Sequence, residues 1–383
     1  MRPIFKTDYD QDIRLLKHRG YWFSYGALLL AVMLLPFLVG PYLQSQIVFV
    51  FIYSIVGVGL LILAGFTGQV SLGHAAFLAI GAYTTGYMQR LGVPFVIYLP
   101  LAVLLSGAVG ALVGTPALRL SGIYLVIATI AFGFIAEEVA ARWESVTNGN
   151  EGLRIKALDL FGFTVTRDGA GFYYLCFALL IAVMLSALNL LRSPTGRAFV
   201  AIRDSETAAK SLGINLAVYK VMAFSISAGI TGLAGCLYAH KLSFISPEMF
   251  TLLLSLEFII VIIIGGIGSL HGAVLGSIFV VMVDPCLTLL KDDFPPLVAG
   301  LARQLGASAG AASSLEETLA RLGGAAGLKG AIYGIIIVLF IIFEPYGLYG
   351  RWLKMQHYFQ LFPLYKKATF RRQKTYVKSE RNR

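Results

Sequence analysis

Ala64-Gly65-Phe66-Thr67-Gly68-Gln69-Val70-Ser71-Leu72-Gly73-His74-Ala75-Ala76 sets glycines, hydroxyls, an amide and an imidazole into sequence that otherwise reads as lipid-buried. Irregular backbone facing hydrocarbon leaves N–H and C=O groups without partners, so such a break must line a cavity or be enclosed by protein. That requirement points to a transport pathway.

The context is apolar throughout: 57% of the 383 residues are hydrophobic, 13% are charged, and mean hydropathy is +0.77. A soluble chain carries about 25% charged residues. A membrane span takes roughly 20 apolar residues. Runs of that kind fall near 21–39, 46–64, 70–89, 94–114, 121–141, 171–191, 218–239, 253–268, 269–290 and 329–348. The reading is an all-α polytopic membrane protein of about ten transmembrane helices. The polar start of the third run marks it as broken or re-entrant, and Gly265-Gly266-Ile267-Gly268 separates the eighth from the ninth. The first run follows a charged segment and lacks a small-residue cleavage pattern, so it reads as a retained span.

Short loops rich in Lys and Arg stay cytoplasmic. The basic residues gather in the N-terminus (Arg2, Lys6, Arg14, Lys17, Arg19), in the loop after span six (Arg192, Arg197, Arg203, Lys210, Lys220) and in the tail from Arg351 to Arg383. An even span count puts all three on one face, with both termini cytoplasmic. The same arrangement accounts for the net charge of +11 without nucleic acid, for which no basic soluble domain is present.

Cys176, Cys236 and Cys286 sit far apart in apolar runs, with no metal or disulfide spacing. Ser106, Gly110 and Gly114, and Ser227, Thr231 and Gly235, recur every four residues and suit close helix packing. Ionisable groups within spans mark function. Glu257, Asp284 and His74 are the candidates for a proton relay, with Glu137, Glu138 and Glu344 near span ends. A proton-coupled secondary transporter is therefore the competing class.

The loop at 192–217 is folded rather than slack. Ser193 before Pro194 suits a helix start, and Asp204 is placed to cap a second short helix whose first turn holds Glu206 and whose last holds Lys210 before Gly213. Ala208, Ala209 and Leu212 form a small face suited to a groove on another protein. An interfacial helix lying on the headgroups is the alternative.

Gly68-Gln69-Val70-Ser71-Leu72-Gly73-His74-Ala75-Ala76-Phe77 with Gly81-Ala82-Tyr83, Ser193-Pro194-Thr195-Gly196-Arg197-Ala198-Phe199 through Gly213-Ile214, and Gly265-Gly266-Ile267-Gly268-Ser269-Leu270-His271-Gly272 occur in order. Together they resemble the permease family of branched-chain amino acid ABC importers, with the LivM-like subunit the closer of its two permease types, over roughly residues 45 to 350. The resemblance implies a sister permease, two cytoplasmic ATP-binding subunits and a periplasmic substrate-binding protein as partners in a bacterial inner membrane. It implies that Gly196, Arg197, Arg203, Asp204, Glu206, Ala208, Ala209 and Gly213 form the element coupled to the ATPase. By the same analogy Gly68, Gln69, Ser71, Gly73 and His74 line the substrate pathway, where broken helices often build transporter sites. Ordinary hydrogen bonding between helices is the plainer account of Gln69 and His74. Relatives are also associated with urea, short amides and small carboxylates or aromatic acids. The chain has no Gly-x-x-x-x-Gly-Lys-Ser/Thr run, so no catalysis or cofactor is expected on it, and ATP and Mg belong to the partners.

Outside the membrane, 142–170 reads as an external loop with a turn at Thr147-Asn148-Gly149-Asn150, where Asn148 tolerates left-handed backbone. Residues 291–328 read as an external Ala/Gly/Ser-rich insertion with a capping box at Ser314-Leu315-Glu316-Glu317. The tail 351–383 mixes basic and aromatic residues suited to an anionic leaflet.

Overall fold

The computed structural model describes residues 19–120, 122–160, 163–283, 285, 286, 288, 328–344 and 347–361. The expectations for Asp284, for 291–327, for the N-terminus before Arg19 and for the tail beyond 361 lie outside these residues.

Helices form where the apolar runs fall. In chain order they are α1 (Arg19–Leu38), α2 (Pro41–Leu60), α3 (His74–Arg90), α4 (Phe95–Ala117), α5 (Ile123–Arg142), the short α6 (Glu144–Thr147), α7 (Ala170–Arg192), α8 (Pro194–Asp204), α9 (Glu206–Ser211), α10 (Leu216–Leu242), α11 (Leu252–Gly265), α12 (Leu270–Val283), α13 (Leu328–Phe343) and α14 (Gly347–Leu361). Among the described residues, six helical stretches are long and apolar enough to cross a membrane: Pro41–Phe66, Phe95–Pro116, Ile123–Arg142, Ala170–Arg192, Leu216–Leu242 and Pro247–Gly265. Six of the ten expected spans thus meet that length and apolarity; in the other four runs the apolar helical stretches, Phe23–Leu38, His74–Arg90, Leu270–Val283 and Leu328–Phe343, are shorter.

Among the described residues the body is helical, and two small antiparallel sheets are added at one end. β1 (Leu153–Arg154) pairs with β4 (Phe244–Ile245), Leu153 opposite Ile245, and β2 (Leu158–Leu160) pairs with β3 (Phe163–Val165). Asn148 takes the left-handed turn foreseen for it, at φ 62°.

α10 is the central element, enclosed by α2, α3 and α4. Its start is capped by Asn215 Oδ1, which accepts from the N–H groups of Ala217 at 3.1 Å and Val218 at 3.4 Å. Small residues let its neighbours approach to backbone contact. A Cβ at Gly81 of α3 would lie 2.7 Å from the Gly232 carbonyl carbon, and one at Gly110 of α4 would lie 2.9 Å from the Phe224 oxygen. Ser225 Oγ donates to the Gly107 carbonyl at 2.9 Å across the same seam. Where lipid is as apolar as the side chains, such contact replaces the hydrophobic effect as the source of association. Outward faces keep large apolar side chains, including Leu104, Leu112, Ile123 and Phe134.

One end of the bundle gathers several distant segments. Tyr25 of α1 hydrogen-bonds His271 Nε2 at 3.0 Å, and the His271 ring stacks on Tyr349 of α14. Gly347 lies against the Gly266 backbone, and Arg351 pairs with the buried Glu344 at 2.8 Å. The 194–215 loop sits at this end as well. At the opposite end the strand-bearing loop is fixed to the helices by Gln89 Oε1, which accepts from the Lys156 N–H at 3.0 Å, and by Lys241, which pairs with Asp168 at 3.0 Å.

The 194–215 loop corrects one capping expectation. Ser193 Oγ does cap α8, accepting from the Gly196 N–H at 3.4 Å. Asp204, however, is the last residue of α8, and it is Ser205 Oγ that caps α9 by accepting from the Ala208 N–H at 3.3 Å. Both adjacent side chains offer an acceptor oxygen suited to an N-cap, and only the position of the bend between the helices separates them.

Candidate functional site

α2 ends in a π turn, Leu61–Phe66. The wider turn shifts the carbonyls out of the regular ladder, a form that recurs at functional sites. Thr67 Oγ1 donates to the Leu63 carbonyl, and the Gln69 N–H donates to the same oxygen at 3.1 Å. Residues 68–73 are then non-helical until α3 begins at His74.

Three other helices hold this segment. The Leu72 N–H donates to Thr129 Oγ1 of α5 at 3.0 Å, the Ala75 N–H to Ser255 Oγ of α11 at 2.9 Å, and His74 Nε2 meets Ser227 Oγ of α10 at 2.9 Å. Gly73 passes so close to α5 that a Cβ would lie 2.7 Å from the Thr129 carbonyl oxygen. Ser227 stands roughly 16 Å along α10 from Leu216, at 1.5 Å per residue, so α3 begins beside the middle of its neighbour. Gln69, Ser71, Gly73 and His74 are buried, whereas Gly68 is exposed. Ser71 Oγ accepts from the Gly73 N–H at 3.4 Å. Gln69 is 6% exposed, and both its amide oxygen and nitrogen are buried without a hydrogen-bond partner.

The loop residues divide by direction. Gly196, Ala198, Phe199, Ile202 and Ala209 are buried by the chain itself; Gly196 is pressed on the Leu191 backbone. Glu206 forms an ion pair at 2.8 Å with Lys220, whose side chain is 6% exposed, tying α9 to α10. Arg197, Asp204, Ala208 and Gly213 face outward with Leu212, which is 78% exposed. Gly213 takes φ +81° in the turn that follows α9.

Arg203 joins the two sets. Its Nη1 donates to the Gly65 carbonyl at 3.1 Å, while its Nε and Nη2 hold Asp204. Gly68, at φ +72°, packs on the arginine stem, and a Cβ there would lie 3.2 Å from Arg203 Cγ. The second glycine-rich turn arrives at the same place, since a Cβ at Gly65 would lie 3.4 Å from the Gly268 nitrogen. Sequence reading found both glycine segments and the loop but not this junction. It also read Ser227 as packing alone and Lys220 only as one of the basic residues of the loop, and did not single out Thr129 or Ser255. Small hydroxyls within apolar helices were the available signal.

At the opposite end, Glu137, Glu138, Arg142, Asn150 and Glu248 line an open cavity of about 710 Å³. Glu257, an expected relay candidate, accepts from Tyr53 Oη of α2 at 3.0 Å. Among the described residues no cluster of three or more His, Cys, Asp or Glu side chains is disposed to hold a metal.

The chain matches the family model described as branched-chain amino acid transport system / permease component over residues 42–341. It is 36% identical over 280 residues to the high-affinity branched-chain amino acid transport system permease protein LivM of Salmonella typhimurium, and equally to that of Escherichia coli. Each match takes in 67% of this chain and 66% of the relative, so the chain spans about two thirds of those relatives' length. It is also 33% identical over 142 residues to the autoinducer 2 import system permease protein LsrC of Salmonella paratyphi B, covering 34% of this chain and 38% of that one. No solved structure matches. With the family model spanning the break, the folded loop and the second glycine turn, the chain belongs to the permease component family of branched-chain amino acid transport systems.

Proposed function

We propose that this chain is a transmembrane permease subunit of an ATP-driven importer for branched-chain amino acids or related small polar and carboxylate solutes. The observation that carries the reading is the folded loop, whose outward residues are free to meet a partner while Arg203 grips the pathway segment. ATP and Mg would sit on two partner ATP-binding subunits, with a sister permease and a periplasmic substrate-binding protein completing the assembly. The multi-pass chain lies in the inner membrane. The ten-span count, the broken or re-entrant reading of the third run, 70–89, and the cytoplasmic placement of both termini belong to the proposal. They are supported by the gathering of Tyr25, the 194–215 loop and α14 at one end.

In this scheme Gly68, Gln69, Ser71, Gly73 and His74 border the pathway. The unpartnered Gln69 amide supports that role, because an unsatisfied buried polar group costs about 1–3 kcal/mol, which a polar solute or adjoining subunit relieves. Arg197, Asp204, Ala208, Leu212 and Gly213 would face the ATP-binding subunit, and Gly196, Arg203, Glu206 and Ala209 would shape the loop from within. The relatives are permease proteins of transport and import systems, which disfavours the proton-coupled alternative. The longer LivM match favours amino acids over the LsrC cargo.

The test is uptake of labelled leucine into proteoliposomes holding the complete complex and the binding protein. Uptake should require ATP and survive a protonophore. Uptake that persists without nucleotide, or that collapses with the proton gradient while ATP is held constant, overturns the reading. Calorimetry of the binding protein with leucine, urea and aromatic acids separates the substrate classes.

A further inference from the structure

We propose that Arg203 is a positioning residue that transmits movement of the 194–213 loop to the glycine break, and not a contact to the ATP-binding subunit. The inference rests on the permease reading above and deepens it. A guanidinium on an exposed coupling surface would point its five donors outward. Here one donor is spent on the Gly65 carbonyl at 3.1 Å and two on Asp204, so three of the five are held by its own chain although the side chain is 37% exposed. The aliphatic stem is in contact too, since a Cβ at Gly68 would lie 3.2 Å from Cγ, closer than ordinary van der Waals contact.

The acceptor is well chosen. Gly65 lies within a π turn, where a carbonyl displaced from the regular ladder is open to an outside donor. Rotation of α8 would therefore pull on the last turn of α2 directly. The pull would reach Gln69, whose N–H hangs from Leu63 in that turn, and through 68–73 it would reach His74. Gly268 abuts Gly65, so the turn between α11 and α12 shares the junction. The loop itself is firmly built: Phe199, Ile202 and Ala209 are buried and Glu206 is held by Lys220 of α10, so α8 and α9 move together with the start of α10.

Two variants separate this role from docking. Arg203→Met keeps the stem over Gly68 and removes every donor; Arg203→Lys keeps the stem and a charged ammonium. In the chain alone in detergent, hydrogen exchange of the amides between 65 and 73 should quicken at least tenfold in Arg203→Met and return toward wild type in Arg203→Lys, with 194–213 unchanged. Unchanged exchange at 65–73 in Arg203→Met overturns the linkage. In the reconstituted complex, solute moved per ATP hydrolysed should fall about tenfold in Arg203→Met and recover in Arg203→Lys. A loss of assembly with the ATP-binding subunit in Arg203→Met would make it a docking residue and overturn the proposal. Failure of the wild-type chain to assemble with any ATP-binding subunit would instead count against the permease reading.

Discussion

Replacing Gly81 by alanine tests the packing on which the pathway segment depends. The added methyl would sit 2.7 Å from both the Gly232 carbonyl carbon and its Cα, far inside ordinary contact, and both neighbours are backbone that cannot rotate away. α3 and α10 must therefore separate. Overpacking of a close-fitting interior costs about 1–3 kcal/mol, and the rigidity of the neighbour puts this site at the upper end. Alanine returns about 0.8–1.0 kcal/mol as the better helix former. A net loss of about 1–2 kcal/mol follows, together with a longer distance between His74 and Ser227 farther along the same pair of helices. Gly133→Ala is the matched control, because a Cβ there meets nothing within 4 Å. In one detergent, the fraction of monodisperse protein after heating should fall at a lower temperature for Gly81→Ala and at an equal or higher one for Gly133→Ala. A Gly81→Ala variant as heat-resistant as wild type would refute the claim that backbone contact holds α3 to α10.

A double-mutant cycle of His74→Ala and Ser227→Ala should give a coupling energy near 0.6 kcal/mol and not above about 1.7, the range for hydrogen bonds between membrane helices; additive losses would mean the pair does not stabilise α3 at its start. Asp168 carries a lowered pKa, first through its hydrogen bond from Lys241 and also through the charges of Lys241 and Arg167, against burial acting the other way. Its contribution to stability is therefore complete above the ordinary aspartate value of about 3.9 and is lost as pH falls through the lowered one, so Asp168→Asn should remove that acid-limb loss from a pH series of thermal midpoints. Glu206→Gln leaves the Lys220 ammonium buried without its ion-pair partner. The cost should stay below the about 3–5 kcal/mol of a fully enclosed pair, because Glu206 is half exposed, and limited proteolysis between 204 and 213 should accelerate. Leu212→Glu, at a side chain 78% exposed, should weaken co-purification with the ATP-binding subunit without moving the thermal midpoint of the chain alone.

Much of the architecture was legible because hydrocarbon enforces it. Runs of about 20 apolar residues have few alternatives to helix, and Ser193-Pro194 and Asn148 sit where their local geometry demands. The segment from Gly65 to His74 was legible as a break for the same reason. What could not be read was direction. Arg203 and Asp204 are neighbours of opposite charge in a polar loop, and nothing in their order says that the arginine turns inward to Gly65. Ala208 and Ala209 are identical in type, yet one is exposed and the other enclosed, since a helix of six residues shows no periodic face. The pairing of Leu153 with Ile245 joins strands of two residues each from distant parts of the chain, far below the length at which alternation becomes visible. The π turn has no composition of its own.

The β1–β4 pairing has a mechanical consequence. It stitches the segment after α5 to the connection between α10 and α11, and the Lys241–Asp168 pair and the Gln89–Lys156 bond add stitches at the same end. Directional bonds of this kind resist sliding and splaying alike. At the other end the Tyr25–His271 bond and the Arg351–Glu344 pair are directional too, but the glycine seams beside them, Gly65 on Gly268 and Gly347 on Gly266, have no side chain to interlock and can slide. A force applied at 194–213 would therefore meet a fulcrum at the stitched end. The helices would swing about it like levers, with their largest excursion at Gly65 and Gly68.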